Sequence, residues 1–171
     1  MASDLNYDVV GGTQVAAPLW SARPVGYRRH ERTVDVGSDD RWEPLSEAVL
    51  GWAVKTRSGF AVKPQNGESP AVRPGAEFVL VAHLGVASVV EPVRVIEVVT
   101  TDGRCGFSYG TRSGHPVRGE EAFVIHRSAG RVFLTLRSLT RAGDGFWRAA
   151  YPAALVAQRW YRWRYLRALR R

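Results

Sequence analysis

From about residue 53 to residue 141 apolar side chains recur at every second position, and short turn segments cut the run into pieces. No other property of the chain limits its fold as much. Candidate strands fall at 53–63, 77–85, 89–100, 104–111, 119–128 and 131–141. Between them stand PQNGESP, LGVAS, TTDGRCG, RSGHPVRG and RSAGR, with Asp102-Gly103 and Ala129-Gly130 as tight hairpin turns. Connections this short cannot carry parallel crossovers, so neighbouring strands run antiparallel.

The flanks follow other rules. Residues 1–30, with Gly11-Gly12, Pro18 and Pro24, show no period and read as an irregular N-terminal arm, followed by a short strand at 32–36. Residues 38–52 open with Ser38, Asp39 and Asp40, which suit a helix start, and space Trp42, Leu45, Val49 and Trp52 along one helical face. Pro44 is tolerable there because it lies near the helix start. Residues 144–171 are helical in composition, and Pro152 is expected to divide a first turn from a long terminal helix. At about 100° per residue, Leu155, Tyr161, Tyr165, Leu166, Ala168 and Leu169 share one side. Arg159, Arg164, Arg167, Arg170 and Arg171 take the other, with Trp160 and Trp163 among them.

The sum is a single α+β domain over 1–171, in which a curved antiparallel sheet of about seven strands wraps around a long C-terminal helix. So few elements cannot fill a strongly bent sheet. A cavity between sheet and helix, suited to a small and largely apolar molecule, is therefore expected.

Strand parity names the residues facing it. Phe78 and Leu80 share a face with Ala82 and Leu84; Phe107 and Tyr109 go with Cys105; Glu121 and Phe123 with Ile125; Leu134 and Leu136 with Val132 and Ser138. Phe78, Leu80, Phe107, Phe123, Leu134, Leu136 and Trp147 are the expected ligand-lining residues. Strand 89–100 has valines on both faces. If Val90, Ile96 and Val98 point inward, so does Arg94, and Glu121 is the carboxylate available to it, as a tuned catalytic pair or as a structural ion pair. Apolar residues on both faces of several strands also require an outer cover. The N-terminal arm or a second subunit could supply it, which leaves a homodimer open.

The stretch most crowded with unusual residue types is GFSYGTRSGHPVRGEEAF, residues 106–123. Its first five residues satisfy the G-x-S-x-G pattern of serine hydrolases, but that elbow needs a strand turning sharply into a helix. Here turn chemistry leads from Ser108 into another strand, so the match is a decoy. The rest reads either as a plain connection or as one that sets His115 at the cavity mouth, with Pro116 holding it extended. His115, Tyr109 and Glu121 together could act as proton shuttle, hydrogen-bond donor and acid or base without metal or cofactor, with Arg94 tuning Glu121. No His-x-x-x-His spacing and no phosphate-cradling glycine loop occur, so neither a metal nor a nucleotide cofactor is expected. Cys105 is the single cysteine, which excludes an intramolecular disulfide and multi-cysteine metal motifs.

The formal net charge is +8, yet of 24 basic residues only Lys55 and Lys63 are lysines. That skew, with abundant Ala, Val and Gly, matches GC-rich coding and weakens an argument for a nucleic-acid partner. The terminal QRWYRWRYLRALRR interleaves arginine with aromatics as interfacial helices do, and as a solvated helix face also can. No apolar run reaches transmembrane length and no signal pattern opens the chain, which sets the expected compartment as the cytoplasm.

In LNYDVVGGT (5–13), PVGY (24–27), PVRVIEVV (92–99), GFSYGTRSGHPVRGEEAF (106–123) and Gln158 with YLRAL (165–169), the chain resembles a domain-of-unknown-function family common in actinobacteria and also found in plants. That family is grouped with the START and pollen-allergen-like helix-grip superfamily, also called SRPBCC. The resemblance implies a sheet gripping a helix, and relatives that include lipid and hormone carriers, small-molecule receptors and polyketide aromatases and cyclases. It implies no set of catalytic residues. The chain departs from the family in Arg112-Ser113, where Leu-Pro precedes Gly-His-Pro.

Overall fold

The computed structural model describes residues 4–65, 67, 69–84 and 87–170. The expected turns PQNGESP and LGVAS lie partly outside the described residues, as do the first three residues and the last one of the single domain expected over 1–171. Among the described residues seven strands form one antiparallel sheet: β1 (Arg28–Ser38), β2 (Phe60–Pro64), β3 (Glu77–Leu84), β4 (Ala87–Thr101), β5 (Arg104–Thr111), β6 (Val117–Ser128) and β7 (Arg131–Ala142). Their order is β1-β7-β6-β5-β4-β3-β2, so successive strands from β2 to β7 are neighbours and β1 pairs with β7. Three helices, α1 (Trp42–Leu50), α2 (Ala53–Thr56) and α3 (Phe146–Tyr165), complete the helix grip.

α1 forms where the spacing predicts it. Trp42, Leu45 and Val49 are buried, and Asp39, Asp40 and Glu43 sit at its start, where carboxylates favour the helix dipole. The chain then departs from expectation. Trp52 takes a left-handed backbone, φ 62°, and starts α2, so the strand placed at 53–63 begins only at Phe60. A non-glycine residue there costs about 1–2 kcal/mol. Burial of the indole offsets that cost, because Trp52 packs 5.0 Å from Phe78, 4.6 Å from Phe107 and 5.4 Å from Tyr109 between ring centroids.

Two further corrections concern β4 and α3. A bulge between Val95 and Glu97 reverses the parity of β4 partway along. Val93 and Val95 are buried and Val98 packs on the same core, while Val90 is exposed and Arg94 faces away from the helix side. The expected break at Pro152 does not occur: α3 runs through it. Pro152 and Arg148, whose carbonyl loses its helical donor, both lie on the exposed side, where water can satisfy that oxygen.

The chain's own arm covers the outer face of the sheet over β5, β6 and β7. Val15 packs on Val99, Ala122 and Val124. Two buried charges fasten it. Arg137, 1% exposed, donates to the carbonyls of Gln14 at 2.7 Å, Pro18 at 3.1 Å and Thr13 at 3.3 Å, and to Glu31 at 3.0 Å. Glu120 accepts from the Tyr7 hydroxyl at 2.8 Å, the Thr13 hydroxyl at 3.0 Å and the amides of Gly11 at 2.5 Å and Thr13 at 3.1 Å. Position 110 must be glycine here, since a Cβ would stand 2.1 Å from the Tyr7 hydroxyl oxygen. The GGT of the arm and the first Glu of GEE are thus two halves of one latch. Among the described residues no helix is long and apolar enough to cross a membrane.

Candidate functional site

Between α3 and the inner face of the sheet lies a cavity of about 260 Å³. The helix makes room for it: Ala150, Ala153, Ala154 and Ala157 line it where larger residues would fill it, and Trp147 and Tyr161 bound the row. The opposite wall is Phe60, Ala82, Val89, Tyr109 and Thr111, and the loop from His115 to Val117 closes one side.

Polar groups gather at two places in this apolar space. At the first, Lys55 projects from α2 and its Nζ lies 3.0 Å from Glu121 Oε2. The ammonium also donates to the Tyr165 hydroxyl at 2.7 Å and sits over the rings of Phe60 at 4.3 Å and Tyr165 at 4.6 Å. Tyr109 donates its hydroxyl proton to the same Glu121 oxygen. Burial, reinforced by the charge of Glu121, holds the Tyr109 and Tyr165 phenols well above their ordinary pKa, so both stay neutral donors.

At the second, Glu91 of β4 faces His115, with Glu91 Oε2 and His115 Nε2 3.7 Å apart, too far for a direct hydrogen bond. The Val117 amide donates to His115 Nδ1 at 3.1 Å, which puts the proton of the neutral imidazole on Nε2. Burial, with the Lys55 charge adding to it, lowers the His115 pKa to about 3. Burial raises that of Glu91 to about 7, with Lys55 opposing and Glu121 adding to the rise.

Of the residues singled out in the sequence, the structure brings Tyr109, His115, Glu121 and Trp147 to the cavity. It does not bring Arg94. The guanidinium of Arg94 binds Glu77, its register partner on β3, at 3.1 Å through Nε and Asp4 of the arm at 2.7 Å, so the expected Arg94–Glu121 pair does not form. Lys55 occupies that role. Phe78, Leu80, Phe107, Phe123, Leu134 and Leu136 do point inward, but they are fully buried in the core beneath α1 and Trp52 and do not line the cavity. Ser108 sits within β5, opposite Ala122, and forms no nucleophile elbow.

Sequence reasoning missed Lys55, Glu91 and the alanine row. The signals existed: Lys55 is one of two lysines in an arginine-rich chain, and Glu91 shares parity with Val93 and Val95. Among the described residues no group of His, Cys, Asp or Glu is placed to hold a metal ion. On the far side of α3, Trp160 and Trp163 are exposed, and each ring is covered by an arginine, Arg164 at 4.8 Å and Arg167 at 3.7 Å.

Comparison with known proteins agrees with this architecture. A UPF0548 protein of Deinococcus radiodurans is 35% identical, over 77% of this chain and 71% of its own. Among solved structures, a hypothetical protein from Helicobacter pylori matches with a TM-score of 0.61 at 10% identity, covering 84% of each chain. The Zhui aromatase/cyclase from Streptomyces sp. R1128 matches with a TM-score of 0.57 at 18% identity, covering 84% of this chain and 91% of that one. At such identities the likeness is one of fold. The family described as "Domain of unknown function (DUF1990)" matches residues 6–168, and the chain belongs to it.

Proposed function

We propose that this member of the family works as a single domain over 1–171 that holds a small, largely apolar molecule in the cavity between α3 and the sheet. There it promotes a cofactor-free acid/base reaction of the cyclisation, dehydration or isomerisation class, on a polyketide- or isoprenoid-like skeleton. The observation that carries the reading is the Lys55–Glu121–Tyr109 cluster at the wall of a largely apolar cavity. A purely structural core would favour apolar residues here, since burying an ion pair gains little stability over well-packed hydrophobic side chains. Within the reading, Glu121 is the carboxylate that exchanges a proton, Tyr109 the donor beside it, and Lys55 the cation paired with Glu121. The aromatase/cyclase that shares the fold supports the reaction class by analogy.

A direct test fills the cavity. Ala157 lines it from α3, and Ala157→Trp would occupy much of its volume. An environment-sensitive naphthalene dye should bind the wild-type protein at micromolar concentration and lose at least about tenfold in affinity with Ala157→Trp. Equal binding by both proteins would overturn the cavity as the site.

A further inference from the structure

Among the charged and imidazole side chains of the lining, Glu91 and the Nε2 side of His115 are left without a hydrogen bond, as are the hydroxyls of Tyr161 and Thr140 beside them. Glu121 Oε2 is held by Lys55 and Tyr109, and both oxygens of Glu120 are held by the arm. Glu91 has no hydrogen-bond partner among the described residues, and its Oε2 lies 3.7 Å from His115 Nε2. His115, 7% exposed, has Nδ1 engaged by Val117, which leaves Nε2–H facing the cavity as an unpartnered donor. That nitrogen is open enough for water to reach it, and so for a ligand oxygen that takes the water's place.

The spacing says what kind. One oxygen placed about 2.8–3.0 Å from both Nε2 and the Glu91 carboxyl spans the 3.7 Å gap. It would accept the Nε2 proton and, beside a protonated Glu91, a second one. The raised Glu91 pKa, about 7, keeps a substantial protonated fraction at neutral pH. Two donors converging on a single oxygen, with no cation in contact, suit a neutral acceptor better than a carboxylate or phosphate. Lys55, Glu121, Tyr109, Tyr161 and Tyr165 are the other charged or titratable groups that interact with Glu91.

We propose that Glu91 and His115 form a carbonyl-binding subsite, and that the molecule held in the cavity is an apolar compound carrying a ketone or enone oxygen. The proposal rests on the cavity being the ligand site. It divides the cavity into an electrophilic end, where the carbonyl oxygen is held by two neutral donors, and an anionic end at Glu121.

The test uses two dyes that share a skeleton. Prodan is a fluorescent naphthyl ketone whose emission reports hydrogen bonding to its carbonyl; the matching dimethylaminonaphthalene lacks the propionyl group. Wild-type protein should bind prodan at least about tenfold more tightly than the carbonyl-free dye, as one or two buried hydrogen bonds imply. Glu91→Leu should reduce prodan binding to within about threefold of the other dye, while Glu91→Gln, which keeps an N–H donor, should largely preserve it. Equal binding of the two dyes by wild-type protein would overturn the subsite and leave the cavity reading standing, and that comparison needs no variant to fold. Equal loss of both dyes in Glu91→Leu would overturn it too. Failure of both dyes to bind wild-type protein would overturn the cavity reading and the subsite with it.

Discussion

Lys55 Nζ lies 3.0 Å from Glu121 Oε2, with the rings of Phe60, Tyr109 and Tyr165 around the ammonium. The two residues arrive by different routes. Glu121 is delivered by strand parity on β6. Lys55 is delivered by α2, which exists because Trp52 turns the chain out of α1 and into the core.

Removing one partner should therefore cost more than removing both. Lys55→Met leaves Glu121 buried without a counter-charge and should destabilise the fold by about 3–5 kcal/mol in urea unfolding. Lys55→Met combined with Glu121→Leu should recover most of that loss. Additive effects in the double-mutant cycle would mean that the two side chains do not interact.

Glu91 makes stability depend on pH. Its folded pKa, about 7, lies above the ordinary carboxylate value of 4.5, so its contribution is fully present below pH 4.5 and is lost as pH rises through 7. His115 works in the opposite sense. Its folded pKa of about 3 lies below the ordinary 6.5, so its contribution is full above pH 6.5 and is lost as pH falls toward 3. Glu91→Gln removes only the first. The variant should gain on the wild type between pH 4.5 and 7, by up to about 3 kcal/mol, in unfolding curves taken across that range. A difference independent of pH would refute the burial of an ionisable Glu91.

The arm should come loose when its outer-face latch is cut. Arg137→Met leaves the carbonyls of Thr13, Gln14 and Pro18 without their donor and Glu31 with Arg29 alone. Limited proteolysis of the folded variant should cleave within residues 4–27, where the wild type resists, and stability should fall by about 3 kcal/mol or more. An unchanged cleavage pattern would show that the Glu120 latch and the apolar contacts of Val15 and Trp20 hold the arm without Arg137.

If the cavity is catalytic, Glu121→Gln and His115→Ala should leave a folded protein that still binds a compound co-purified with the wild type but no longer converts it. Loss of affinity with no reaction to lose would make the protein a carrier or sensor.

Much of this was legible in the sequence. Period-two patterning located β3, β5, β6 and β7 nearly to the residue, and parity put Tyr109 and Glu121 on the inner face. Parity failed on β4 for a physical reason. A bulge exchanges the faces partway along a strand, and Val-rich residues on both sides of β4 conceal it, so Arg94 was placed inward and Glu91 was overlooked. The strand expected at 53–63 failed because one residue, Trp52, adopts a backbone that its type disfavours, and only tertiary packing accounts for that. The core phenylalanines and leucines were assigned to the right face, but how much of that face a helix covers depends on side-chain size across from it. The alanine row of α3 decides that, and it leaves the cavity toward Tyr109 and His115 rather than over Leu134 and Leu136.

The central claim is that the cavity exists to hold a small molecule. Mass spectrometry of the freshly purified protein under native and then denaturing conditions tests it most directly. The account predicts an apolar, carbonyl-bearing compound that is retained in the native spectrum, released on denaturation and absent from Ala157→Trp. A compound retained equally by Ala157→Trp, or a wild-type protein that stays empty after exposure to apolar ketones, would contradict it.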